Sequence, residues 1–153
     1  MQEGENNMAL LDYLKWRNDV SFDVSSFNDV DNVILSCLAY TDFGELFSEY
    51  NKIYSIEETF KLFCEKHSLQ EVRESKQFLE RVPLLFEDMV VGDRFKGTKI
   101  GYYKDVLEKE TIKQFAAVVF FLPDGTNYIA FRGTDSTITG WKEDFLMSCS
   151  SYT

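Results

Sequence analysis

A single histidine, His67, serves the whole 153-residue chain. A metal centre built on several imidazoles is therefore excluded. Cysteine is scarce too. Cys37, Cys64 and Cys149 stand far apart, are odd in number and form no Cys-x-x-Cys pair. Neither they nor His67 show metal-ligand spacing, and no cofactor is expected. They read as reduced, mostly buried thiols of a cytoplasmic protein rather than as a disulfide framework. Basic side chains are outnumbered, 16 against 26 acidic ones, for a formal net charge of −10. Such a chain repels phosphate backbones, so no nucleic-acid partner is expected, and an acidic membrane surface is disfavoured for the same reason. No apolar stretch approaches the ~18 residues that mark a membrane span. The opening "MQEGENNMALLDYLKW" lacks the basic and apolar regions of a secretory signal. No internal repeat or low-complexity linker interrupts the chain.

What is present is a globular composition. Hydrophobic residues make up 44% and aromatics 16%, enough for one well-filled core at this length. The organisation expected is a disordered tail over 1–8 and a single domain over 9–153. That domain is helical over 27–83, β-rich over 95–133, and starts a further helix over 140–148.

The first strong helix signal is "SFNDVDNVILSCLAYTDFGELF". Val30, Val33, Ile34, Cys37 and Leu38 recur at helical spacing, and Asn28 and Asp29 stand where a cap belongs. Asp29, Asp31 and Asp42 do not have the spacing of a calcium loop, so they read as capping and solvated residues. "SIEETFKLFCEKH" carries a capping box at Ser55 and Glu58, an apolar face of Ile56, Phe60, Phe63 and Cys64, and cations in its last turn. That places His67 at a helix end. A second capping box, Ser68 with Glu71, follows, and the helical pattern breaks near Pro83.

From about residue 95 the chain is dense in β-branched and aromatic residues. Strands are expected at 99–107, 113–122 and 127–132. Pro123-Asp124-Gly125 is a turn with a mechanism: Pro sets φ, Asp bonds its own backbone and Gly accepts positive φ. "FAAVVFFL" and "YIAF" show no alternation, which is expected of strands buried on both faces. The fold class expected is α/β, with helices followed by a β-hairpin and a central-type strand. In such sheets ligands bind past the strand ends. There Gly133 lets the backbone bend, and Thr134 and Asp135 offer N–H groups and a hydroxyl, the donor set of an oxyanion hole; by spacing alone the stretch reads equally as an ordinary strand-to-helix loop, with Thr134 or Asp135 as a cap and Arg132 in a local salt bridge.

"YIAFRGTDSTITGWKEDF", taken with "QFAAVVF" and "FNDVDNVILSCLAY", resembles the lipase-like α/β-hydrolases, in an uncharacterised bacterial branch related to the class 3 lipases. The resemblance implies the N-terminal portion of an α/β-hydrolase-like fold. It implies Thr134 as the oxyanion residue, Arg132 and Gly133 as shapers of the loop, and Trp141 and Asp144 as anchors of the following helix; Asp135 beside them is read as loop support. The nucleophile elbow G-x-S-x-G is missing, and the sole histidine precedes the loop. "MSCSS" at 147–151 has no glycine turn and no downstream base. The expectation is therefore the N-terminal part of a serine ester hydrolase, inactive alone and cut after the oxyanion loop, with a small-molecule or lipid ester as substrate of the whole. A non-catalytic interaction module on the same half-fold is the alternative. Self-association through an exposed sheet edge is expected in either case.

Overall fold

A computed structural model of the chain describes residues 2–108 and 113–133. It begins with α1 (Gln2–Arg17), which runs through the stretch expected as a tail. Helices α2 (Asp29–Leu38), α3 (Phe43–Leu46) and a short strand β1 (Ile53–Ser55) follow. Then come α4 (Ile56–Lys66), α5 (Leu69–Glu74), α6 (Phe78–Arg81) and α7 (Leu84–Met89). Strands β2 (Lys99–Glu108), β3 (Lys113–Phe121) and β4 (Asn127–Gly133) close the described chain. The helix start expected over 140–148 lies outside the described residues. No helix among the described residues is long and apolar enough to cross a membrane.

Local chemistry accounts for most element ends. Asn28 caps α2 by accepting from Val30 N and Asp31 N, and Asp31 accepts in return from Asn28 N at 3.0 Å. Asp42 caps α3 through Glu45 N at 3.2 Å, and Ser55 caps α4 through Glu58 N at 3.0 Å. The second capping box is not made: Ser68 is the N-cap of α5 but its side chain makes no cap bond. Pro83 separates α6 from α7, as expected of a residue without an N–H.

The protein is a mixed α/β fold with one four-stranded sheet in the order β1-β2-β3-β4, antiparallel throughout. The hairpin expected at Pro123-Asp124-Gly125 is present, and the expectation of a central-type last strand is corrected: among the described residues β4 is an edge strand. Leu122–Thr126 is a tight turn that returns β4 directly alongside β3. Leu122 N donates to Thr126 O at 2.8 Å, Thr126 N donates to Asp124 Oδ1 at 2.9 Å, and Gly125 adopts φ +90. A two-sided apolar run cannot by itself report strand direction, and the turn length decides it.

One face of the sheet lies on the helices. Ala116, Val118, Phe120 and Ala130 are buried there, with Ile34, Leu38 and Phe43 in the same core cluster. Tyr128 reaches α2, its hydroxyl 2.7 Å from Ser36 Oγ and bonded to Asn32 Oδ1. On the other face Val119 and Phe121 are half-buried, and Ile129 and Phe131 are 56% and 60% exposed.

A buried ion pair ties the N-terminal helices to the link between α7 and β2. Asp31 and Arg94 are 0% and 1% exposed. Arg94 Nε donates to Asp31 Oδ1 at 3.0 Å, and Nη2 donates to Oδ2 at 2.5 Å. The remaining guanidinium protons go to the carbonyls of Val20, Ser25 and Ser26 at 2.9 to 3.2 Å, and the Phe22 ring lies 4.2 Å beneath. Asp31 thus caps α2 as expected, but it is not solvated. Beside this pair, Gly92 leaves room for Asn18: a Cβ there would stand 1.9 Å from Asn18 Cγ.

Candidate functional site

The turns and short helices between α2 and α7 enclose a cleft of about 440 Å³, within the range of small-molecule sites. Its apolar wall comes from Phe63 of α4, Val72 of α5, Leu79 of α6 and Pro83. These elements are amphipathic and turn one stripe inward. Phe63 is buried, and Val72 and Leu79 pack against the core. Four carboxylates line the rest: Asp42 at the N-cap of α3, Glu45 on α3, Glu71 on α5 and Glu80 on α6.

One group in the lining can carry positive charge. His67 stacks on Phe63 with centroids 4.8 Å apart, and its Nε2 lies 3.1 Å from Glu45 Oε2. A carboxylate only accepts, so Nε2 carries the proton. Lys66 Nζ lies outside the lining and donates to the Glu45 carbonyl at 2.6 Å. Ser75 Oγ donates to Glu80. Among the described residues neither Glu71 nor Glu80 has an ion-pair partner. The cleft is therefore electronegative on an already acidic chain.

Thr41 adds a donor at depth. It is 3% exposed and lines the cleft, and among the described residues its hydroxyl has no hydrogen-bond partner. A buried hydroxyl left unpaired costs about 1–3 kcal/mol, so a ligand oxygen or nitrogen that satisfied it would gain on binding. Tyr40 stands beside it, its hydroxyl pushed up to about 12 by burial, with the Arg132 charge pulling the other way. Tyr103 is raised by burial as well, again opposed by Arg132. Both phenols are neutral near pH 7. No group of three or more His, Cys, Asp or Glu among the described residues could hold a metal ion.

The residues picked out from the sequence lie elsewhere. Arg132 and Gly133 are the last residues of β4. Arg132 faces the helices half-buried, its Nε without a hydrogen-bond partner among the described residues. Gly133 pairs with Phe115 in the ladder, and a Cβ there would meet none of the described residues within 4 Å. Thr134, Asp135, Trp141, Asp144, Cys149 and the "MSCSS" stretch lie outside the described residues. Of the expected buried thiols, Cys37 is buried and Cys64 exposed, and both are free. His67 is the C-cap of α4, as expected, but it also borders the cleft. The cleft carboxylates had no sequence signature, because they come from three helices with no shared spacing.

By architecture, then, the protein is a mixed α/β domain with an antiparallel sheet and an acidic, apolar-walled cleft among its helices. Residues 89–152 match the family described as Mbeg1-like. No curated protein and no solved structure matches the chain. The Mbeg1-like family is not a lipase or α/β-hydrolase family. Its match covers "YIAFRGTDSTITGWKEDF", the stretch on which the lipase resemblance rested. The expectation of a lipase-like serine hydrolase is corrected accordingly. Thr134 and Asp135 lie outside the described residues, and no geometry here bears on the oxyanion role expected of them.

Proposed function

We propose that the chain is a ligand-binding protein whose helical cleft takes a small organic cation, an ammonium group on an apolar body. The observation that carries this reading is the pairing of one apolar wall (Phe63, Val72, Leu79, Pro83) with Glu71 and Glu80, which have no cationic partner among the described residues. An ammonium desolvated beside a carboxylate is a charge-assisted hydrogen-bond donor, stronger than a neutral one. The apolar body would cover the Phe63 wall, and the acidic field of the whole chain would draw the cation in. A ligand acceptor would receive the Thr41 hydroxyl. The reading sets the protein in the cytoplasm, where thiols such as Cys37 and Cys64 stay reduced.

Titration calorimetry with 2-phenylethylammonium chloride tests this. Expected are a single site, affinity that weakens as salt rises, and no binding of the neutral isostere 3-phenylpropanol. Equal affinity for both molecules, or no heat with the cation at low ionic strength, would sink the reading.

A further inference from the structure

One buried hydroxyl in the cleft lining takes no part in holding the fold. Thr41 is 3% exposed, stands in the turn between α2 and α3, and borders the cleft. Its backbone is fully used there: Thr41 N donates to the Leu38 carbonyl at 2.9 Å, and the Thr41 carbonyl accepts from Phe43 N at 2.9 Å. Its hydroxyl has no partner among the described residues. A threonine beside a helix start often spends its hydroxyl on the cap. Here Asp42 takes that place, accepting from Glu45 N at 3.2 Å. Thr59 is buried as well and shows the ordinary arrangement, its hydroxyl donating to the Ser55 carbonyl at 2.9 Å. Thr98 also keeps a buried hydroxyl without a partner among the described residues, but it does not line the cleft.

We infer that Thr41 selects the ligand of the cleft: an organic cation that also carries a neutral hydrogen-bond acceptor, an ether, hydroxyl or amide oxygen, on its apolar body. This rests on the cation-binding reading of the cleft and adds the second group by which the ligand is recognised. The hydroxyl proton is satisfied only by an acceptor. The paired backbone of the turn fixes its position before the ligand arrives, so little ordering entropy is lost on binding.

The acceptor is neutral because of what surrounds it. Asp42 follows Thr41 directly, Glu45 comes three residues later, and both line the cleft. A ligand carboxylate there would meet like charge. Among the lining residues only His67 can carry positive charge, and its Nε2 is engaged by Glu45 Oε2 at 3.1 Å. The cleft therefore favours amino ethers, amino alcohols and amino amides over zwitterionic amino acids of the same size. A site holding an unpaired polar group discriminates more sharply than an apolar wall, because a ligand without the matching group leaves the donor unsatisfied.

Calorimetry on the full chain tests this with 2-phenylethylammonium, its 4-methoxy and 4-ethyl derivatives, 2-amino-3-phenylpropanol and phenylalanine. The methoxy and amino-alcohol probes carry an acceptor at opposite ends of the same body. At least one of them should bind on the order of tenfold tighter than its acceptor-free counterpart, and phenylalanine should bind more weakly than 2-phenylethylammonium. Thr41→Val should bring the ratio of the two affinities to about one, and Thr41→Ser should keep most of the gain. Because the hydroxyl is unpaired, Thr41→Val should also leave the urea midpoint of the free protein unchanged or raise it. A lowered midpoint would mean that the hydroxyl already has a partner within the protein, and would overturn the inference. So would a gain that survives Thr41→Val, phenylalanine binding as tightly as the acceptor-bearing amines, or no gain from either acceptor while 2-phenylethylammonium binds. No binding of 2-phenylethylammonium is a different failure, that of the cation reading itself, and the selection by Thr41 would go with it.

Discussion

Asp31 and the cleft carboxylates are the same chemistry in opposite settings. Asp31 is wholly buried and saturated, with two guanidinium bonds and a backbone N–H. Glu71 and Glu80 line a cavity with no cationic partner among the described residues. The difference separates a charge that holds the fold from charges held ready for something else. A buried ion pair is only weakly stabilising as a unit, but either half alone is a desolvated, unmatched ion. An exposed carboxylate contributes little to folding, so its placement around an apolar wall asks for a binding explanation.

The sharpest break of this comparison is Arg94→Met. It strands Asp31 in the core, and chemical denaturation should show a loss of about 3–5 kcal/mol. A loss below about 1 kcal/mol would show that Asp31 protonates or rehydrates at little cost. Next in size is the alkaline limb of stability. Burial raises Cys37 from 9.0 to about 12 and Tyr40 from 10.0 to about 12. The unfolded chain therefore ionises first. Stability is intact below pH 9 and falls as pH rises toward 12, by on the order of 1 kcal/mol per pH unit for a fully buried group and less for half-exposed Tyr40. Urea midpoints at pH 8, 9, 10 and 11 measure it, and Cys37→Ala should flatten the portion between 9 and 10. The smallest stability effect belongs to Glu71→Gln with Glu80→Gln, within about 0.5 kcal/mol. The same pair should weaken the cation in the cleft on the order of tenfold. A stability loss as large as that of Arg94→Met would erase the distinction between the two settings.

Strands β2 to β4 were legible to within a residue or two, because β-branched and aromatic density and the Pro123-Asp124-Gly125 turn are local signals. The hairpin of β3 and β4 was legible from the same turn, whereas the edge place of β4 was not, since an apolar run records burial without saying which neighbour supplies it. The Asn28 and Ser55 caps were legible for the same local reason, whereas Ser68 has the right sequence and no bond. Asp31 was readable as a cap and unreadable as half of an ion pair, its partner lying 63 positions away. The cleft was hidden for a related reason: its wall and its carboxylates are brought together by α3 to α6, and no single window of sequence contains both. The resemblance carried by "YIAFRGTDSTITGWKEDF" with two shorter stretches named a family, and a family named from short stretches does not by itself establish activity.

The Asp31–Arg94 pair also has a history within each molecule's synthesis. Asp31 leaves the ribosome 63 residues ahead of Arg94. At ordinary elongation rates that is an interval of about 3–13 s. Throughout it the Asp31 carboxylate has no guanidinium to pair with, and burying it alone would be costly. Burying Asp31 before Arg94 is made would leave a desolvated, unmatched carboxylate, so the pair favours docking of α2 only after residue 94 is available.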